Sequence, residues 1–133
     1  MNILRGQVKF VQTYEGISLV DITIGNDKFS SLIIETETTK EYIKIGNKID
    51  MLFKETEISL KNYHDKLIKR NNKFIAKVVS INKGKILSDI ELEYNNLQLR
   101  VISLTRHINE LNLQVGKKAV VILRTQEISL SKI

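Results

Sequence analysis

The sequence predicts an all-β protein made of two tandem five-stranded barrels, each carrying one short helix. Three observations predict it. One stretch of the chain returns 70 residues later, apolar residues alternate in short runs broken by Gly and Asn, and each half reads as three strands, a short helix and two more strands. The repeat is clearest at the ends of the halves. Gly46-Asn47-Lys48 through Glu57-Ile58-Ser59-Leu60 faces Gly116-Lys117-Lys118 through Glu127-Ile128-Ser129-Leu130, with Lys54 and Arg124 keeping a cation between them. Asn2, Gly6 and Val8 face Asn72, Ala76 and Val78 at the same offset. In the middle, Gly16 and Asp21-Ile22 match Gly84 and Asp89-Ile90 at an offset of 68, which predicts a shorter turn in the second half and an insertion before His107. The expected domains are 1–62 and 70–133, joined by a polar stretch. A unit of about 60 residues buries little core by itself and is expected to lean on its twin or on another subunit.

In the first unit, residues 3–13 read as a strand with apolar Val8, Phe10 and Val11. Residues 17–24 alternate at Ile17 and Leu19, then at Ile22 and Ile24 after a slip at Val20-Asp21, where a bulge or bend is expected. Gly25-Asn26-Asp27 turns the chain into a strand over 29–34. Residues 36–43 suit one or two helical turns, with Thr36 as cap and Glu in the first turn. Gly46-Asn47 turns the chain again, into strands over 48–53 and 56–60. The second unit repeats this with strands over 74–81, 86–94 and 97–104, a helix around 106–111, and strands over 119–123 and 127–130. That order is the plan of a small barrel of the OB type, a fold that hosts nucleic acids, sugars and small anions alike.

Composition narrows the chemistry. The 133 residues include no Cys and no Pro, and His64 and His107 are the only histidines. Disulfides, thiolate metal sites and a Cys nucleophile are excluded, and a His-rich zinc site is disfavoured. No GxxxxGK[ST] loop and no Ser/His/Asp set with supporting context is present, so the expectation is a binding protein rather than an enzyme. No apolar run approaches the roughly 20 residues that span a bilayer, and the N-terminus lacks a basic, then apolar, leader. No membrane association and a cytoplasmic location are expected. The net charge of +6 is uneven: residues 1–66 hold nine Lys/Arg against ten Asp/Glu, and residues 67–133 hold twelve against five, −1 against +7. An anionic partner is therefore expected at the second half.

Specific residues carry a family resemblance. Asn2-Ile3-Leu4-Arg5-Gly6-Gln7-Val8, then Ile43-Lys44-Ile45-Gly46, then Phe53-Lys54 through Ile58-Ser59-Leu60 resembles the Mop (TOBE) pattern. Asn72-Lys73-Phe74-Ile75-Ala76-Lys77-Val78, Leu113-Gln114-Val115-Gly116 and Leu123-Arg124-Thr125 through Leu130 resembles it again. Two such copies and little else resemble the di-Mop molybdate-binding proteins. The resemblance implies cytoplasmic storage or homeostasis of molybdate or tungstate by a homo-oligomer, a trimer first, with oxyanions held between subunits. Such a ligand is a tetrahedral dianion with four acceptor oxygens, which calls for N–H groups, hydroxyls, amides and a cation, and for no direct metal coordination.

Contact positions follow from the resemblance one by one. Asn2 and Asn72 keep the Asn of the family's Ser-x-Arg-Asn loop, while Met1 and Asn71 occupy its Arg position, with Arg70 one residue early and Lys69 at the Ser position. Lys54 and Arg124 keep the cation after the fourth strand; Glu55 and Thr125 follow them. The Thr closing the third strand maps to Ile34 and Leu104, with Thr36, Ser103 and Thr105 as substitutes, and the next Ser falls near Glu37 and His107. The expected oxyanion set is Asn2, Lys54, Arg70, Asn71, Asn72, Ser103, Thr105, His107, Arg124 and Thr125. Glu55 repels a dianion if it points inward, so the second copy is expected to hold the stronger site. Two alternatives stand beside this reading: an effector-sensing module of a molybdate-responsive regulator, and an OB-type nucleic-acid binder. The second is disfavoured because the basic half offers only Phe74 and Tyr94 for base stacking.

Overall fold

The computed structural model describes residues 1–64 and 70–133, so Lys69 lies outside the described residues. The chain runs β1 (Asn2–Tyr14), β2 (Ile17–Ile24), β3 (Asp27–Ile34), α1 (Glu37–Tyr42), β4 (Lys48–Phe53) and β5 (Ile58–Asn62). It then runs β6 (Lys73–Lys83), β7 (Leu87–Tyr94), β8 (Leu97–Leu104), α2 (Thr105–Leu111), β9 (Lys118–Leu123) and β10 (Ser129–Ser131). Short 3₁₀ turns, Glu55–Glu57 and Thr125–Glu127, precede β5 and β10. The architecture is OB-like and mostly β, in two five-stranded antiparallel sheets.

The sheets do not follow the halves of the sequence. Their strand orders are β10-β4-β1-β2-β3 and β5-β9-β6-β7-β8. Each sheet thus takes one outer strand from the other repeat. Ser129–Ser131 pairs with Leu52, Met51 and Asp50, while Ile58–Asn62 pairs along Leu123 to Ala119. β10 and β3 are opposite edges of the first sheet yet pack against each other, as do β5 and β8 in the second, so each sheet curls toward itself. The repeat bounds 1–62 and 70–133 mark the duplicated sequence; the sheets cut across them.

Backbone bonds recur at an interval of 70. Val8 N–H donates to Asn47 O (2.9 Å) and Val78 N–H to Lys117 O (2.8 Å); Gly46 N–H donates to Val8 O and Gly116 N–H to Val78 O (both 2.8 Å). The same offset holds through the middle of each repeat, where Val8 pairs with Ile22 and Val78 with Leu92. This corrects the 68-residue alignment: the Gly, Asp and Ile coincidence there is fortuitous, and neither a shorter turn nor an insertion before His107 exists. The bulge also lies elsewhere. β2 pairs without interruption and buries Ser18, Val20 and Ile22 in simple alternation. The register shift falls on its partner β1, between Val8 and Phe10, and repeats between Val78 and Ser80 on β6. Reading Ile17 and Leu19 as inward produced the false slip, because the inward residue at that end is a serine. Phe10, just past the bulge, is exposed rather than core.

One core serves both sheets. Leu4, Val8, Val20, Ile22 and Phe29 of the first repeat cluster with Phe74, Val78, Ile90 and Leu92 of the second. The Phe29 and Phe74 rings lie 5.7 Å apart and Phe74 and Tyr94 4.4 Å apart, tilted as aromatic quadrupoles prefer. Gly6 is required by this packing: a Cβ there meets Ile22 Cγ2 at 2.5 Å and Thr23 O at 3.0 Å, whereas its counterpart Ala76 fits. α1 starts at Thr36, whose hydroxyl accepts from Thr39 N–H (3.1 Å) while the Thr39 hydroxyl accepts from Thr36 N–H (2.8 Å), a reciprocal cap. Among the described residues no helix is long and apolar enough to cross a membrane.

Candidate functional site

Asn2, Lys54, Asn71, Asn72, Arg124 and Thr125 of the expected set lie at two equivalent junctions where each repeat grips the third strand of the other. At the second junction Asn72 has a φ of +62°, in the left-handed region that Asn tolerates better than most residues. Its amide faces β3. Asn72 Oδ1 accepts from Ser30 N–H (2.8 Å), and its Nδ2 donates to Ser30 O (3.2 Å) and to Thr125 Oγ1 (3.1 Å). Asn71 Nδ2 donates to Ser30 Oγ (2.7 Å), which in turn donates to Asp21 Oδ1 (2.7 Å). Ser31 Oγ donates to Ile128 O (2.6 Å), tying β3 to the segment after Thr125. Arg124 leaves at the start of the adjoining 3₁₀ turn and pairs with Glu127 at 2.8 Å, its side chain 70% exposed. Arg70 and Asn71 border a cleft of about 880 Å³ that also presents Lys28, Lys77 and Lys118. Part of the basic excess of the second half thus lies around this cleft, which Asp27 and Glu93 also line.

At the first junction Asn2 makes the same backbone clamp. Its Nδ2 donates to Arg100 O (2.8 Å) and its Oδ1 accepts from Arg100 N–H (2.9 Å), Arg100 being the counterpart of Ser30 at the 70-residue interval. The charge is different. The Arg100 guanidinium forks onto Asp89 at 2.9 and 2.5 Å, and holds its carboxyl below the usual range. Glu55 stands where the second junction has Thr125. It pairs with the Met1 ammonium, which lowers its pKa, with a smaller contribution from Arg100. Lys54 lies 4.0 Å from Glu57. Glu57 and Glu127, counterparts at the 70-residue interval, face each other; contact with the Glu127 carboxylate, then burial, pushes the Glu57 carboxyl above its ordinary value.

Ser103, Thr105 and His107 keep other company. Ser103 pairs with Ser88 in the β7–β8 register. Thr105 Oγ1 lies 2.7 Å from Ser88 Oγ and donates to Gly84 O (2.8 Å). His107 Nε2 lies 3.1 Å from Leu60 O on β5. The structure thus brings Asn71, Asn72 and Thr125 together with Arg124 close by, puts Asn2 and Lys54 at the other junction, and sets Ser103, Thr105 and His107 at the end of β8. Thr36, a substitute for the third-strand Thr, is committed to its helix cap.

Sequence reasoning passed over Ser18 and Glu35. Ser18 Oγ donates to Glu35 Oε2 (2.9 Å) and contacts Thr13 Oγ1 (2.7 Å), and Lys40 Nζ lies 3.2 Å from Glu35 Oε1. The Ser18 hydroxyl, then Thr13, then Lys40, hold the Glu35 carboxyl below its usual range. Ser18 and Glu35 stand 70 residues before Ser88 and Thr105, a match visible once the offset is held constant. Ser30, the hub of the second junction, carried no sequence signal, because nothing local says which strand faces Asn72. Among the described residues no group of three or more His, Asp or Glu side chains is arranged to hold a metal ion.

No family model matches the sequence, and no curated protein matches it. Among solved structures, the chain is similar to the cytoplasmic molybdate-binding protein ModG, in a crystal form with molybdate bound: the TM-score is 0.82 at 17% identity, over 97% of this chain and 94% of that one. A murine DNA-binding protein bound to double-stranded DNA aligns with a TM-score of 0.35 at 14% identity, over 98% of this chain and 90% of that one. The fold of this chain is that of the molybdate-binding protein.

Proposed function

We propose that this chain binds molybdate or tungstate and serves in its cytoplasmic storage or homeostasis, as a homo-oligomer with a trimer expected first. The observation that carries the reading is the second junction, where amides (Asn71, Asn72) and hydroxyls (Ser30, Thr125) meet, with the exposed guanidinium of Arg124 next in sequence and paired with Glu127, on the fold of a molybdate-binding protein. Neutral donors with one or two cations suit reversible capture of a dianion. Arg70 adds charge from the cleft beside it. Assembly is supported by two equivalent apolar pairs left open to solvent: Ile17 (49%) with Ile34 (77%), and Leu87 (54%) with Leu104 (45%). Side chains of that size paired at matching places on both sheets suit burial against further copies.

Calorimetric titration of the purified protein with molybdate, tungstate and sulfate tests this. Binding of the first two, well above sulfate, is expected; no binding at millimolar ligand refutes it. A second reading, a ligand-free structural relative, is favoured by one observation. The Asn2 and Asn72 amides, ligands by resemblance, are already engaged by the opposite repeat. That reading expects a null titration.

A further inference from the structure

We infer that the first repeat carries its own anions: Glu35 and Glu55 occupy, as tethered carboxylates, the positions at which the second repeat has the hydroxyl residues Thr105 and Thr125, so the first repeat is closed to oxyanions. The inference rests on the oxyanion reading for the identity of the ligand, but its geometry stands alone. Glu35 and Thr105 are equivalent by backbone as well as by number, since Glu35 N–H donates to Gly16 O and Thr105 N–H to Ile86 O, both at 2.8 Å. Their buried partners are equivalent too, Ser18 and Ser88. Glu55 and Thr125 each open the 3₁₀ turn that follows the fourth strand of their repeat.

The surroundings of Glu35 are those of an anion site. Thr13, Ser18 and Lys40, with the apolar Val11, Ile33 and Ile43, line a cavity of about 210 Å³ with the Glu35 carboxylate, which has Ser18 Oγ at 2.9 Å and the Lys40 ammonium at 3.2 Å. Hydroxyls and one ammonium converging on an oxyanion are what a tetrahedral anion requires, and the chain fills the place itself. At Glu55 the carboxylate likewise takes the positive charge in reach, Met1 and the field of Arg100. A second anion at either place would meet a fixed negative charge instead of a hydroxyl.

The test compares wild type with Glu35→Thr, Glu55→Thr and the double variant. Each is titrated with molybdate and sulfate by calorimetry, and melted with and without 10 mM of either ion, a concentration on the order of those that reveal weak sites. The inference expects the double variant to bind at least one more oxyanion per chain than wild type. It also expects Glu35→Thr to lose thermal stability that oxyanion restores, while a Glu35→Gln control, which keeps the bulk and adds a donor, is restored less. Wild type binding with unchanged stoichiometry in every variant, and no oxyanion rescue, overturns the inference and leaves the proposed function standing. Rescue of the variants with no binding by wild type overturns the proposed function and leaves the inference standing. Oxyanion binding to the first repeat of wild type, seen as chemical-shift changes at Ser18 and Lys40, overturns the inference directly.

Discussion

The two junctions share a backbone and differ in charge. Asn2 reads the N–H and C=O of Arg100, and Asn72 reads those of Ser30, with nearly the same distances. Around that common clamp the first junction neutralises itself, with Arg100 on Asp89 and Glu55 on the Met1 ammonium. The second joins Ser, Asn and Thr to the Asp21 carboxylate, with Arg124 paired to Glu127 at its exposed edge. The difference teaches that the Asn positions belong first to the fold: they hold the third strand of one repeat against the first strand of the other. Ligand preference is left to the residues around them.

The largest break in this comparison is expected in the core. Phe74 joins Phe29 of the first repeat to Tyr94 of the second, whereas its counterpart Leu4 has no ring to bridge. Phe74→Ala is expected to cost about 3–5 kcal/mol and Leu4→Ala about 2–4 kcal/mol, read from urea midpoints. A smaller cost for Phe74→Ala would show that the shared aromatic cluster is not the bridge.

Next come the clamps. Asn2→Ala leaves the partly buried Arg100 N–H and C=O of β8 without their partner, at about 1–3 kcal/mol. Asn72→Ala does the same at β3, loses the bond to Thr125, and forces Ala into the left-handed region, so about 2–4 kcal/mol is expected. Equal losses would mean that the strained backbone at Asn72 carries no weight.

The anion comparison follows. If Arg124 touches the oxyanion, Arg124→Ala lowers affinity by about ten- to a hundredfold, and Lys54→Ala by less, measured by titration with molybdate. The reverse order would move the site to the first junction.

The smallest effect concerns the facing carboxyls. The Glu57 carboxyl is raised above the ordinary Glu value by contact with Glu127 and by burial. The folded chain therefore holds that proton more tightly than the unfolded chain does, and stability falls as pH rises from the ordinary Glu value through the raised one. Glu57→Gln is expected to be more stable than wild type at pH 7, with the gain vanishing below about pH 4. A gain that grows on acidification would contradict the pairing.

Much of the fold was legible along the chain. The Thr36 cap, the turns at Gly46 and Gly116 and the strand over 97–104 depend on neighbours in sequence, so residue type and period suffice to find them. The false slip in β2 arose because period-2 reading assumes that inward residues are apolar, and Ser18 is inward with its hydroxyl bound by Thr13 and Glu35. Asn72 and Thr125 could be named from motif resemblance, but Ser30 could not, since its role depends on which strand comes opposite.

By itself the sequence determined the duplication, the strands and helices, and the concentration of positive charge in residues 67–133, all of which are local or periodic properties of residue order. Only the tertiary structure decided that β5 and β10 change places between the repeats. The two repeats end in the same Glu-Ile-Ser-Leu, so either strand can complete either sheet by the same hydrogen bonds and the same inward Ile. Pairing patterns do not distinguish one sheet edge from its twin. The choice is made by long-range packing of the shared core and by the Asn clamps, which hold each third strand beside the other repeat.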